Sequence, residues 1–355
     1  MNSRLIERSP PTSTDEIEPQ HGIDLDRLAR YLASNVSQLG ALKKVRKFKG
    51  GQSNPTFWLD CENQSAVLRR KPPGVLLKSA HAVEREFQVI QALAGSAVPV
   101  AQAFALCEDS DVIGSPFYVM GFVEGRIFWD PALEEISPSE RAAYFTEMAR
   151  VLAAIHEVNV LEVGLSQFGR AGNYFSRQIA RWTEQYRLSE LNPNADMDRL
   201  IGWLPVNVPA GDDEACLVHG DFRIDNLIFH PTEPRILAVV DWELATLGHP
   251  LGDLSYACLT WRLPRMGPIK GLLGLDLSAR QLPTEEAFKA EYCRQRQRDL
   301  PDSWHFYIAF NLFRLGAIAQ GVAKRASVGQ ASSKQADQVG AMVPIIAKAA
   351  VQLIP

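Results

Sequence analysis

Two stretches of this 355-residue chain gather side chains that chemistry could use. The first, Leu217-Val218-His219-Gly220-Asp221-Phe222-Arg223-Ile224-Asp225-Asn226-Leu227-Ile228-Phe229, sets polar groups between apolar flanks. The second, Ala238-Val239-Val240-Asp241-Trp242-Glu243, closes a β-like run on an acid. An Asp and an Asn five residues apart on a loop, then an Asp ending the next strand, suit magnesium. That hard ion takes a few oxygen ligands and leaves the rest of its shell to water or phosphate. Asn226 and Asp241 would supply those oxygens, while Asp221, unligated, would accept the proton of an attacking hydroxyl. This is the division of labour of phosphoryl transfer. Taken singly, Asp221, Asp225 and Asp241 read equally well as turn and cap residues. Their joint spacing between strands is what points to chemistry.

The elements that must position these groups follow from periodicity. Residues 1–21 lack a hydrophobic period and are expected to be a disordered tail. Asp24 can cap a helix whose Leu25, Leu28, Leu32 and Val36 share one face. Thr56–Asp60 and Ala66–Arg69 read as a hairpin turned at Glu62-Asn63-Gln64, and Pro72-Pro73-Gly74 ends the second strand. Ala82–Leu93 returns to helical period, and Phe117–Val123 reads as a buried strand. Beyond it the pattern is helical over Ala142–Val158, Tyr174–Leu188, Glu285–Arg298 and Ser303–Lys324. Asn226–Phe229 and Ile236–Val240 interrupt it as two short β-like runs around a proline-bounded turn.

Composition excludes several classes. With 37 basic against 41 acidic residues the net charge is −4, which argues against a general nucleic-acid binder. Five cysteines without a C-x-x-C pair suggest neither a disulfide framework nor a zinc site. No apolar run is read as a membrane span, and residues 1–20 lack the apolar region of a secretory signal. A cytoplasmic chain with no membrane or nucleic-acid partner is expected.

His219-Gly220-Asp221 with Asn226, then Asp241-Trp242-Glu243, resembles the catalytic loop and metal motif of the aminoglycoside phosphotransferase-like kinases, which include choline and homoserine kinases. Within that group the chain most resembles the kinase domains attached to some acyl-CoA dehydrogenases. Phe48–Phe57, Val67–Gly74 and Phe310–Arg314 support the likeness, which covers about residues 22–350. It implies an α+β, bilobal, protein-kinase-like fold with a small β-rich N-lobe and a larger, mainly helical C-lobe. The N-lobe would run over 22–120, a hinge over 121–125 and the C-lobe over 126–355. ATP and Mg²⁺ would be the cofactors, and Asp221 the catalytic residue. Gly50, Gly51, Ser53 and Asn54 would form the glycine-rich loop over the phosphates, although Gly-Gly-Gln-Ser-Asn alone also fits a plain hairpin turn.

Arg69 stands where most such kinases place a phosphate-binding lysine, and its always-charged fork is a credible substitute. Lys71 would share Arg69's strand face, were it not for the prolines that follow. Glu86 resembles the ion-pair partner of the basic residue. The Gly121 carbonyl and Val123 amide would read the adenine edge, and Asn226 and Asp241 would hold the metal. Glu243 could add a carboxylate or cap its turn, and Arg223 could pair with Asp225 or contact the γ-phosphate. Asp253 resembles a structural loop anchor, and His156 reads as a packed histidine rather than a ligand.

The expected acceptor is a small molecule bearing a hydroxyl. Residues 271–355 carry ten basic and seven acidic side chains, a local charge of +3 against −7 elsewhere. Arg314, Lys324 and Arg325 recur near one helical face and would suit an anionic acceptor. The resemblance likewise implies a hydroxy acid or hydroxyacyl-CoA of 4-hydroxyacyl type. An aminoglycoside or amino-alcohol kinase, and a catalytically inactive nucleotide-binding module, are the alternatives.

Overall fold

The first helix forms as its pattern dictates. In the computed structural model, which describes residues 10–18, 21–49, 54–72, 82–211, 214–267, 269–327 and 336–355, α1 spans Leu25–Asn35. The Asp24 carboxylate accepts the Arg27 N–H at 3.0 Å, satisfying one of the amide donors that a helix start leaves open. Leu28, Leu32 and Val36 are buried, whereas Leu25, the fourth residue of the expected face, stays exposed.

This helix belongs to the first of two compact units, Met1–Glu124 with Leu237–Glu243. Its strands are β1 (Thr14–Glu16), β2 (Leu42–Phe48), β3 (Thr56–Cys61), β4 (Ser65–Arg70), β5 (Ala103–Cys107) and β6 (Phe117–Gly121). They make one antiparallel sheet in the order β1-β2-β3-β4-β6-β5. Because side chains alternate across a strand, Phe57 and Leu59 share a face and join Leu28, Leu32, Leu68, Phe117 and Val119 in one buried cluster. α2 (Val83–Ala92) and the short α3 (Ser110–Ile113) complete the unit.

Two expectations change here. The segment over 1–21 is not wholly a tail: Thr14, Asp15 and Glu16 pair with Phe48, Lys47 and Arg46. Arg46 Nε also donates to Thr14 Oγ1 at 2.9 Å. Backbone pairing needs no hydrophobic period, so a polar edge strand leaves no sequence signal. The second lobe was expected to run continuously from residue 126, yet Leu237–Glu243 groups with the first unit, where the Val239 N–H bonds Pro99 O at 2.8 Å.

The second unit, Gly125–Ile236 with Leu244–Pro355, is mainly helical. It holds α4 (Pro138–His156), α5 (Tyr174–Ser189), α6 (Ala195–Trp203), α7 (Pro250–Arg262), α8 (Glu285–Arg296), α9 (Trp304–Ser327), α10 (Ala336–Gly340) and α11 (Val343–Val351). Short strands β7 (Cys216–Val218), β8 (Leu227–Phe229), β9 (Ile236–Val239, shared with the first unit), β10 (Thr246–Gly248), β11 (Arg265–Met266) and β12 (Ile269–Lys270) punctuate it. β7 and β10 pair antiparallel, as do β11 and β12. α9 corrects the reading that no run reaches a membrane span. Its 24 residues hold an 18-residue window of mean hydropathy 1.3, long and apolar enough by length and composition. In the fold, 72% of that window is buried, against neighbours that include α5, α7 and α11. Phe175 meets Phe306, Tyr307 and Phe310 at ring distances of 5.1–5.5 Å.

His249 caps α7, its Nδ1 accepting the Leu251 N–H at 3.2 Å, and its ring stacks on Tyr307. Burial lowers its pKa to about 4. The unfolded chain, with an ordinary histidine near 6.5, therefore takes up this proton first as pH falls. The stability that neutral His249 contributes is expected to be complete above about pH 6.5 and lost progressively toward pH 4. His249→Asn keeps a cap acceptor without the titration, so urea unfolding across this range should show a shallower pH slope.

Candidate active site

Arg69 is the centre of a polar cluster within the first unit. It lies on β4 opposite Thr56 of β3 and Tyr118 of β6. Its Nε sits 3.1 Å from Glu86 Oε2 of α2, and its Nη2 donates to Asp241 Oδ1 at 2.5 Å. Glu86 in turn accepts Asn54 Nδ2 at 2.8 Å and the Tyr118 hydroxyl at 3.2 Å. Burial would lower the Arg69 pKa, but Glu86 and Asp241 outweigh it and raise the value, so the guanidinium stays charged. Glu86 is pushed up to about 7, first by burial and then by Asp241 and Glu243, with Arg69 pulling the other way.

One cation thus faces several acids. Ligand oxygens of Glu86, Asp241 and Glu243 come within 4.8 Å of one another, a hard-oxygen set that suits a divalent ion. Asp241 has φ of +67°, a left-handed conformation a non-glycine residue adopts only where its surroundings hold it.

The expected pairing of Arg69 with Glu86 is present. Lys71, however, does not join it: the residue lies past the end of β4 and pairs with Glu84. Gly121 N–H bonds Gln102 O and Phe122 N–H bonds Ser65 O, while the Val123 N–H has no hydrogen bond among the described residues. Asn54 is buried with its amide committed to Glu86. Gly50, Gly51 and Ser53 lie outside the described residues.

The second unit builds its own cluster on the loop after β7. Gly220 has φ of +83°, and a Cβ there would lie 2.7 Å from Leu244 O, so only glycine fits. The Asp253 carboxylate of α7 accepts the His219 N–H at 2.5 Å and the Gly220 N–H at 2.8 Å, while Arg314 Nη2 donates to Gly220 O at 2.5 Å. His156 Nε2 lies 3.4 Å from Asp253 and its Nδ1 2.7 Å from the Tyr292 hydroxyl, the packed role expected of it. Burial lowers the His156 pKa and keeps the ring neutral. Burial would raise Asp253, but its bonds to His156 and the Gly220 N–H hold it below the usual carboxylate range.

On this frame Asp221 has both oxygens engaged. Oδ1 accepts the Tyr256 hydroxyl at 2.6 Å and lies 3.2 Å from Arg223 Nε. Oδ2 accepts Asn226 Nδ2 at 3.0 Å, and the same Nδ2 also donates to the Asp221 carbonyl at 2.8 Å. Asn226 therefore spends its amide nitrogen on Asp221, and its carbonyl oxygen is the atom suited to a hard cation. Arg223 also pairs with Asp225 at 3.1 Å. Tyr256, with a pKa raised by burial and then by Asp221, is a neutral donor, and the Arg314 guanidinium lies 5.1 Å from its ring centre.

Beside this cluster, within the same unit, is a pocket of about 300 Å³. Arg223, Asp225 and Tyr256 form its polar wall, and Phe145, Trp261 and Phe288 much of its apolar lining. The expected cationic face of α9 is corrected by this geometry. Arg314 is buried and holds Gly220 rather than facing a ligand, because a helix face predicted from spacing does not say which neighbour covers it. Tyr256 was missed altogether; its signal was its place one helical turn after Asp253 in α7.

A β-rich unit and a helical unit, each with its own polar cluster, define a kinase-like phosphotransferase. The phosphotransferase enzyme family model matches residues 44–301, and the chain belongs to that family. Acyl-CoA dehydrogenase family member 10 of Mus musculus is 44% identical over 341 residues, which is 95% of this chain and 32% of the mouse protein. The chain spans less than half the length of such curated relatives. A Ralstonia eutropha protein, crystallised as a candidate aminoglycoside phosphotransferase, is 46% identical with a TM-score of 0.85, covering 93% of this chain and 98% of that one. Aminoglycoside phosphotransferase APH(4)-Ia, solved with AMP-PNP and hygromycin B, shares the fold at 17% identity, with a TM-score of 0.61 over 92% of this chain and 98% of that one.

Removing the Asp253 carboxylate leaves two buried N–H groups unpaired. Asp253→Ala is expected to cost about 2–4 kcal/mol, read as a lower urea midpoint. An unchanged midpoint would mean that the loop is held by other contacts.

Proposed function

We propose that this chain transfers the γ-phosphoryl group of Mg·ATP to a hydroxyl on an acyl chain, a hydroxy acid or its CoA thioester of the 4-hydroxyacyl type. The observation that carries the reading is Asp221, bonded to Tyr256 and Arg223, which themselves line an apolar, aromatic-rich pocket. Asp221 would take the acceptor's proton as its oxygen attacks the γ-phosphorus. An O–P bond forms, the bond to the β–γ bridging oxygen breaks, and ADP leaves. Tyr256 and Asn226 would fix the rotamer of that base. Arg69, oriented by Glu86, would bond phosphate oxygens through its fork, and the Val123 N–H would meet the base edge. Asp241, with Glu86 and Glu243 beside it, would hold magnesium, which when bound neutralises phosphate charge.

The lining separates the candidate acceptors. A polycationic aminoglycoside needs acids or π faces to compensate its charges. Among the described residues the single acid in this lining, Asp225, is already paired with Arg223. An apolar chain needs no such compensation, and the acyl-CoA dehydrogenase names of the relatives favour it. The aminoglycoside reading keeps the description of the Ralstonia protein in its favour. An inactive module is disfavoured because Arg69, the one departure from the usual lysine, has the acidic partner such a residue requires.

Two measurements test the reading. Turnover of Mg·ATP with hydroxy acids, their CoA esters, choline and kanamycin, followed by phosphorus NMR, should give product from the acyl acceptors; product from kanamycin alone would overturn it. Asp221→Asn should lower turnover about 10²–10⁴-fold while leaving Mg·ATP affinity nearly intact. Collapse of nucleotide binding in that variant would instead make Asp221 a ligand or a structural residue.

A further inference from the structure

Tyr256 belongs at once to two things: its hydroxyl donates to Asp221, and its side chain lines the pocket. The cavity therefore begins beside the base. It follows α7 through Leu259 and Thr260 to Leu263 just past the helix end, ~10 Å at 1.5 Å per residue. Between Tyr256 and Leu263 much of the lining is apolar. Phe145 and Phe288 are 1% and 2% exposed, each tilted against Trp261 at ring distances of 5.4 and 5.3 Å, and Ile346 is fully buried. Exposed groups stand at both ends: the Arg223 side chain, half exposed, beside Asp221, and exposed Lys270 and Trp129 by Leu263, where strand pairing sets Lys270 opposite Arg265, itself paired with Asp130.

We propose that this pocket is an alkyl-tail subsite. It takes the part of the acceptor beyond the hydroxyl, with the carboxyl or thioester end left on the Arg223 side, and the length of its apolar stretch sets the longest tail phosphorylated. The inference rests on the reading of Asp221 as base toward an acyl-chain hydroxyl. It adds a direction and a limit: the hydroxyl must be internal, because the base lies between the half-exposed Arg223 and the apolar stretch of the pocket. A buried polar group would find no partner against Phe145, Trp261, Phe288 and Ile346, whereas each methylene gains by leaving water.

The test uses the full chain, Mg·ATP and a series of 4-hydroxyacyl-CoA esters with lengthening tails. Expected is a rise in kcat/KM of about three- to fourfold per added methylene, then a fall once the tail outgrows the cavity. Thr260→Trp, which fills the cavity midway along α7, should move that optimum to shorter tails. A profile flat in tail length, or a Thr260→Trp loss equal for every tail, would overturn the subsite. If Thr260→Trp does not fold, the profile of the unaltered chain decides. Saturated acyl-CoA esters without a hydroxyl supply a readout independent of turnover, since their inhibition constants should follow the same tail dependence. If they do so while no hydroxyacyl ester is phosphorylated, the acceptor assignment fails and the subsite stands; if neither shows it, the subsite fails too.

Discussion

A single buried carboxylate sets the geometry of the catalytic loop. Asp253 accepts the N–H groups of His219 and Gly220, and so determines where the next residue, Asp221, leaves the loop. The arrangement is stable because the carboxylate and its N–H donors satisfy one another. His156 fills the remaining side of the carboxylate, Tyr292 satisfies His156, and Arg314 takes the Gly220 carbonyl. An ionised carboxylate without these partners would be too costly to bury. The left-handed turn at Gly220, with no room for a Cβ, brings the loop close enough to Leu244 for this to work.

The first unit follows the same rule with the signs reversed. There a cation, Arg69, is enclosed by Glu86 and Asp241, with Asn54 and Tyr118 completing the hydrogen bonds of Glu86. Burial, and after it the neighbouring acids Asp241 and Glu243, push Glu86 up to about 7 despite its ion pair. A cluster with spare negative charge and hard oxygen donors is what a divalent cation and phosphate oxygens would share.

Much of this was legible. The Asp24 cap, the Leu28 and Leu32 face, the hairpin of β3 and β4 and the long helices all follow from local periodicity, and each formed. The pairing of Arg69 with Glu86 was also foreseen, on family likeness. β1 was not, because its Thr-Asp-Glu carries no apolar alternation and is held by backbone bonds to β2. Arg314 was misread for a related reason. Charge spacing along α9 identifies a face, but burial under Trp182, Tyr256 and the Gly220 carbonyl is a property of the packed unit.

The residues of Asp221, Asn226 and Asp241 and their spacing, together with the capped helices around them, are written in the chain itself, since they depend on contacts between near neighbours. The bond from Tyr256 to Asp221 spans 35 residues and that from Arg314 to Gly220 spans 94. The pocket is lined from α4, α7, α8, α9 and α11, whose apolar positions look alike in sequence whether they close a core or leave a cavity. Only packing distinguishes the two, because a cavity is a matter of which side chains fail to meet.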